Sequence, residues 1–134
     1  MEKKSLKKFI LVDTDLIIDL LRGYNKSKPF FKDIEESKYD AYVSVITIME
    51  LMSGKSTTST EEQIKIQNVI DLFKIINIDS DIAKNAGFIN RDYDISFPDA
   101  LIASCAKTIN NCSIVTRNKK HYEKIKGLKI FVPY

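Results

Sequence analysis

The 134-residue sequence contains few of the residues on which disulfide-rich and zinc-binding proteins depend. It has two cysteines, one histidine, four glycines, three prolines and no tryptophan. Cys105 and Cys112 lack CxxC spacing, so they do not suggest a disulfide framework, and a single histidine cannot complete a zinc site with them. Their mainly apolar neighbours predict buried, reduced thiols, and we therefore expect the protein to be cytoplasmic.

Long apolar runs are also missing from the sequence. The longest contain four residues, as at 9–12, whereas a membrane-spanning helix needs about 20. The charged N-terminus lacks a long apolar stretch with a small-residue cleavage site, so we expect neither a signal peptide nor a membrane partner. With 44% apolar and 29% charged residues, the sequence instead predicts one globular domain over residues 1–134.

The charge balance is only mildly basic. Lysine and arginine outnumber aspartate and glutamate by 21 to 18, which gives a net charge of +3. This excess is compatible with nucleic-acid binding but does not indicate it, because a solvated lysine surface has the same composition.

Short apolar runs typical of buried strands alternate with stretches whose apolar residues have helical spacing. The runs predict strands at residues 9–12, 41–45, 75–78, 113–116 and 128–132. Strands that are separated by helices imply βαβ units. The predicted fold class is therefore α/β, with a mostly parallel central sheet and helices on both of its faces.

Three acidic residues stand among apolar neighbours. Asp13 ends the first strand in FILVDTDLII, Glu50 lies in VSVITIMELM, and Asp99 opens the helix of ISFPDALIA. Burial of a carboxylate costs several kcal/mol unless a cation or hydrogen-bond donors compensate it. Because ligand sites of open parallel sheets form beyond the carboxyl ends of the strands, we expect these acids to meet there, with Asn118 from the fourth strand.

Each of the three acids also has a local explanation. Asp13 could cap the helix that follows it, Asp99 could complement the dipole of its own helix, and Glu50 could reach solvent on the outer face of its helix.

Together, however, clustered carboxylates repel one another unless a divalent cation screens them. Ligation by oxygen alone favours Mg²⁺, or Mn²⁺, over zinc, and such sites are suited to the hydrolysis of phosphodiester bonds.

Four segments, in order along the chain, resemble the PIN-domain nucleases and, within them, the VapC-type toxins of toxin–antitoxin pairs, and the resemblance extends over essentially the whole chain. The segments are ILVDTDLIIDLLRG, VSVITIMELMSG, ISFPDALIASCA and SIVTRNKKHYEKIKGLKI. The resemblance implies a PIN-like three-layer α/β/α sandwich and Mg²⁺-dependent endoribonuclease activity. It also implies an RNA substrate, a cognate VapB-type antitoxin and a homodimer.

The resemblance further implies roles for individual residues. Asp13, Glu50 and Asp99 match the family's first three metal-binding acids, and Thr116 matches its threonine after the fourth strand. Asp13 and Asp99 would hold the principal ion, while Glu50 would complete its shell or orient the attacking water. Thr116 and Asn118 would position the water or the phosphate, so all five are candidate catalytic residues.

The fourth segment departs from the family pattern. Family members usually place an acid here, whereas this sequence has Asn118 and His121, with Glu123 as its first acid after the strand. Asn118 can offer a carbonyl oxygen to Mg²⁺, while the nitrogen of His121 is a less apt ligand. Both the number of metal ions and the residue that replaces the acid stay open, and Tyr122 is predicted to pack where the family usually has an aromatic residue.

Further charged residues lie near the predicted site. Arg117, Lys119 and Lys120 are candidate RNA-binding residues that would hold phosphates, although a solvated surface also explains them. Asp15 and Asp19 are four residues apart and are predicted to form an exposed polar stripe, with a contact to RNA or to metal-bound water as the alternative.

Two other functions are compatible with the same residues. A PIN-like protein whose site has decayed through Asn118 and His121 would bind RNA or a protein partner without cutting RNA. A haloacid-dehalogenase-type phosphatase would use Asp13 as a phosphorylated nucleophile and Asp15 as a general acid. The second is disfavoured because the chain is short for that fold and no later acidic pair could hold its metal.

Overall fold

A computed structural model describes residues 7–134. Residues 1–6 lie outside the described residues. They include part of the N-terminal segment on which the expectation of no signal peptide rests. The described part of the chain forms five strands, seven α-helices and two single-turn 3-10 helices. Their bounds are β1 Lys8–Val12, α1 Thr14–Leu21, α2 Lys28–Glu35, β2 Tyr39–Ser44, α3 Val45–Met52, α4 Thr60–Ile70, β3 Lys74–Ile76, α5 Ser80–Tyr93, α6 Phe97–Lys107, β4 Ser113–Val115, α7 Lys119–Tyr122 and β5 Lys129–Phe131, with 3-10 turns at Asn25–Ser27 and Lys55–Thr58.

The strands form one sheet in the order β3-β2-β1-β4-β5, and every neighbouring pair is parallel. This confirms the predicted α/β class and makes the sheet wholly parallel. Alternate residues of the central strand β1 face opposite sides, since Ile10 and Val12 pack with α1, α2 and α4 and Leu11 packs with α5, α6 and α7. The two apolar clusters therefore separate three layers.

The predicted elements are present with small shifts of their ends. α4 begins after its N-cap Ser59 and ends at Ile70. Phe73 lies beyond the helix and is buried. Cys105 and Cys112 are buried free thiols, as predicted. Within residues 7–134, no helix is both long enough and apolar enough to cross a membrane.

The strand order places a topological switch point next to the centre of the sheet. The chain after β1 forms α1 on one face, whereas α7 after β4 packs on the other face. In parallel sheets such a switch point between adjacent strands is where ligand sites form. Asp13 directly follows β1 and Thr116 directly follows β4, and the Asp13 N–H donates to the Val115 carbonyl oxygen at 2.9 Å.

Candidate functional site

Asp13 lies at the switch point and is almost completely buried, with 5% of its surface exposed. Its Oδ1 accepts a hydrogen bond of 2.9 Å from the Thr14 N–H. Its Oδ2 accepts one of 2.9 Å from the Thr116 hydroxyl. Asp13 is therefore the N-cap of α1, and the same side chain also joins the ends of the two central strands.

The environment of Asp13 opposes its negative charge. Burial is the largest effect, and together with the nearby charges of Asp15 and Asp99 it raises the pKa of Asp13 to about 7. The hydrogen bonds from Thr116 and Thr14 act in the opposite direction but do not cancel it. A nearly buried carboxylate with acidic neighbours is typical of a functional site.

Glu50 points inward from α3 toward α1. The Thr14 hydroxyl donates to Glu50 Oε1 at 2.9 Å and lies 3.0 Å from the hydroxyl of the fully buried Thr47. The Glu50 side chain is half-buried, so it is partly open to solvent while it accepts from Thr14. Thr14 thus links Glu50 and Asp13, through its hydroxyl and its backbone N–H.

Asp99 lies in the first turn of α6, where Ser96 rather than Asp99 is the N-cap. Its Oδ1 accepts a hydrogen bond of 3.1 Å from the Tyr122 hydroxyl, and its Oδ2 lies 3.0 Å from His121 Nδ1. The negative charge of Asp99 contributes to the raised pKa of Asp13. Asp99 therefore belongs to the same cluster, in addition to its favourable place near the helix N-terminus.

Tyr122 is a site residue that the sequence analysis missed. Its side chain packs in the core as predicted, with 0% exposed, but its hydroxyl faces the two aspartates. Burial, followed by the charges of Asp13 and Asp99, raises the pKa of Tyr122 far above its usual range. The hydroxyl therefore stays protonated and can serve as a neutral hydrogen-bond donor between the two carboxylates.

Asp15 also belongs to the site, and its prediction as part of an exposed stripe was wrong. Its Oδ2 accepts hydrogen bonds from the Arg117 N–H at 3.1 Å and from Asn118 Nδ2 at 3.2 Å. Its Oδ1 is the one buried side-chain oxygen or nitrogen without a hydrogen-bond partner in residues 7–134. Burial is the main cause that raises the pKa of Asp15. Its position two residues after Asp13, at the end of the central strand, was the available signal.

Two residues after β4, Asn118 and His121, could replace the family's usual acid. Thr116 is fully buried, and its hydroxyl oxygen accepts a 2.9 Å hydrogen bond from the Asn118 N–H. The Asn118 side chain is exposed and contacts Asp15, whereas His121 contacts Asp99. The two candidates therefore serve different acids.

The predicted RNA-binding residues have different surroundings. The Arg117 guanidinium pairs with Asp19 at 3.0 Å and lies over the rings of Tyr24 and Tyr134, at 5.1 and 5.4 Å from their centroids. Its charge is thus engaged within the protein, and Asp19 is half-buried rather than part of an exposed stripe.

Lys119 and Lys120, by contrast, are exposed on α7. Lys120 lines a cavity of about 310 Å³ together with Asp99 and His121. Lys129 starts β5 at the opposite end of the sheet and contacts Asn111. It therefore lies apart from Lys119 and Lys120.

The acids at the switch point suit a hydrated divalent cation better than a closed metal cage. Asp13, Asp15 and Glu50 form no ion pair with any lysine or arginine of the described chain, and Asp15 Oδ1 has no donor. In residues 7–134, no three Asp, Glu, His or Cys side chains are grouped so that they could hold a metal ion together. Mg²⁺ usually takes one or two carboxylates and keeps several waters, which these oxygen donors can accommodate. The assignment of Asp13, Glu50 and Asp99 as metal ligands stays a prediction.

The raised pKa of Asp13 predicts that the stability of the metal-free protein falls as the pH rises. The folded chain holds a proton on Asp13 up to about pH 7, while the unfolded chain loses it near pH 3.8. In EDTA, the free energy of unfolding should therefore decrease between pH 4 and 7, by up to about 4 kcal/mol from this group. Urea denaturation of the wild type and of Asp13→Asn measures this effect.

The Asp13→Asn variant contains its own control. At pH 4, where Asp13 is protonated in the folded protein, the two proteins should have similar stabilities. At pH 7 the variant should be the more stable of the two. Parallel decreases in the stability of both proteins over this range would contradict the account of Asp13.

Comparisons with known proteins show the family to which the chain belongs. Residues 10–127 match the PIN domain family. Ribonuclease VapC1 of Methanocaldococcus jannaschii is 32% identical over 143 aligned residues, which cover 98% of this chain and 91% of that protein.

Solved structures have the same fold. A chain of a toxin–antitoxin complex from Klebsiella pneumoniae is 29% identical, with a TM-score of 0.76 over 93% of this chain and 98% of that chain. A chain of VapBC2 from Rickettsia felis, bound to a DNA fragment from its promoter, has a TM-score of 0.76 at 20% identity, over 92% of this chain and 97% of that chain. These structures confirm the predicted three-layer α/β/α sandwich. Since the family match covers most of the sequence, the chain belongs to the PIN domain family.

Proposed function

We propose that this chain is a metal-dependent endoribonuclease and the toxin of a toxin–antitoxin pair. The observation that carries the proposal is a linked set of acids at the carboxyl end of β1. Hydrogen bonds of Thr14 join Asp13 to Glu50, and the charges of Asp15 and Asp99 act on Asp13 and raise its pKa. The similarity to Ribonuclease VapC1, at 32% identity over nearly the whole chain, supports RNA as the substrate.

The cofactor that fits these donors is Mg²⁺, with Mn²⁺ as an alternative. Asp13 and Asp99 would hold it, and Glu50 would complete its surroundings or orient water. When bound, the cation supplies Lewis-acid chemistry, in which it activates water and offsets the charge that develops on the phosphate. Its all-oxygen donors and the unpartnered oxygen of Asp15 support this choice over zinc.

The chain's own residues fix the geometry around these acids. The Thr116 hydroxyl holds Asp13, and the Thr14 hydroxyl holds Glu50. Asn118 is exposed beside Asp15, from where it can contact a phosphate or a water. Lys119 and Lys120, exposed on the adjacent helical turn, are placed to bind phosphates of the RNA.

The phosphatase alternative loses its support. The Asp13 that it would phosphorylate lies within residues 10–127, which match the PIN domain family. A decayed site that binds RNA without cutting it is the alternative that the experiments below distinguish.

The proposal includes a partner. The chain of the Klebsiella pneumoniae complex, 29% identical to this one, comes from a toxin–antitoxin assembly, which supports a cognate VapB-type antitoxin for this protein. A homodimer and a cytoplasmic location are proposed on the resemblance to VapC-type toxins.

The Asp99→Asn variant tests the enzymatic role. It keeps the size of the side chain but removes its charge, so Mg²⁺-dependent cleavage of RNA should fall by roughly 100-fold or more, while the melting temperature changes little. The matched control is Asp81→Asn, which alters an aspartate in the first turn of α5 and should cleave RNA as the wild type does. Retained activity in Asp99→Asn would refute the assignment, and a wild type that binds RNA but cuts nothing in Mg²⁺ or Mn²⁺ would favour the decayed site.

The lysines of α7 are tested by the salt dependence of RNA binding. In the Asp99→Asn background, which prevents cleavage, Lys119→Gln with Lys120→Gln should weaken the binding of single-stranded RNA. The slope of log K against log salt concentration should fall by about 1.4, or about 0.7 for each lost phosphate contact. Lys129→Gln, at the opposite end of the sheet, serves as the control. If Lys129→Gln weakened RNA binding as much as the double change did, the lysines of α7 would act only through net charge.

A further inference from the structure

The single turn of α7 contacts both oxygens of Asp99. The Tyr122 hydroxyl donates to Oδ1 at 3.1 Å, and His121 Nδ1 lies 3.0 Å from Oδ2. The two residues are consecutive, so one short helix holds the Asp99 carboxylate from both of its ends. Rotation of that carboxylate would break at least one of the two contacts.

The two contacts differ in how firmly they are held. The Tyr122 ring is fully buried in the apolar cluster formed with α5 and α6, so core packing fixes the position of its hydroxyl. The His121 side chain is 53% exposed and is held mainly by Asp99 itself. Core packing therefore fixes the donor to Oδ1, whereas the contact of His121 with Oδ2 lies at the surface.

The place of Tyr122 also relates Asp99 to Asp13. Its hydroxyl donates to Asp99, and the charge of Asp13, 86 residues away from Asp99 in the sequence, also raises the pKa of Tyr122. Tyr122 is neutral, so it holds Asp99 without neutralising the charge that a cation would need. A lysine or arginine in its place would compete with the cation.

We propose that His121 and Tyr122 are positioning residues that orient Asp99 toward Asp13 for cation binding. This inference rests on the proposed function and adds two residues to it. Hydrogen-bond partners of metal ligands commonly control metal affinity in this way, and their loss lowers it by about 10- to 100-fold. A purely structural role would instead alter stability and leave cation affinity unchanged.

The first test measures the affinity of the purified protein for Mn²⁺ by isothermal titration calorimetry. Tyr122→Phe removes only the hydroxyl and should weaken Mn²⁺ binding by roughly 10-fold or more, with an unchanged circular dichroism spectrum. Tyr93→Phe is the matched control, because its hydroxyl accepts from the Lys126 N–H and does not contact Asp99. This control should bind Mn²⁺ as the wild type does.

The second test separates the contact between His121 Nδ1 and Asp99 from the other properties of His121. His121→Ala removes this contact and should weaken Mn²⁺ binding. His121→Asn places an amide nitrogen near the former position of Nδ1 and should restore most of the affinity. A defect of equal size in both variants would overturn the role assigned to Nδ1.

The outcomes distinguish this inference from the proposed function. If the wild type binds Mn²⁺ and Tyr122→Phe binds it within twofold of the wild type, the positioning role of Tyr122 is overturned while the proposed nuclease stands. If the wild type does not bind Mn²⁺, the proposed cofactor fails and this inference fails with it. If Tyr122→Phe and His121→Ala lose affinity for Mn²⁺ while Tyr93→Phe binds it as the wild type does, the inference is supported.

Discussion

The site depends on the electrostatic repulsion among carboxylates that the fold brings together at the end of its central strand. Asp13 is nearly buried there, with the charges of Asp15 and Asp99 close enough to raise its pKa. The donors that hold Asp13 and Asp99 from Thr116 and Tyr122 are neutral hydroxyls. They satisfy carboxylate oxygens but add no positive charge, so the repulsion is only partly offset. A protein that needed these acids for stability alone would gain by pairing them with lysine or arginine.

The topology explains how acids that are distant in sequence come to lie at the same edge of the sheet. β1 is the middle strand, and its neighbours β2 and β4 end on either side of it. The residues after these parallel strands therefore meet at one edge of the sheet, and α6 adds Asp99 through its first turn. Helix caps and site residues coincide at this edge, as at Asp13, because the N-termini of helices and the ends of strands lie side by side. The hydrogen bond from the Thr14 N–H to Asp13 is thus both the cap of α1 and part of the candidate site.

The sequence predicted the strands, and it identified the acids of the candidate site, because both depend on local patterns. Apolar runs define the strands, and a charged residue inside or next to such a run identifies Asp13, Glu50 and Asp99. The position of Asp15 was missed, since helical spacing shows that it shares a face with Asp19 but not that the loop after β4 folds over that face. The hydroxyl of Tyr122 was missed for a related reason: its ring fits the apolar pattern, and only tertiary structure reveals where the hydroxyl points.

The central claim is that a divalent cation relieves the repulsion among these acids. The most direct test is the effect of Mg²⁺ on the free energy of unfolding at pH 7.5. Urea denaturation of the wild type would be followed over increasing Mg²⁺, with ionic strength held constant by KCl. The account predicts that the unfolding free energy rises with Mg²⁺, by about 2.7 kcal/mol when its concentration reaches 100 times the dissociation constant. An unfolding free energy that is unchanged by Mg²⁺, and equally by Mn²⁺, would contradict it.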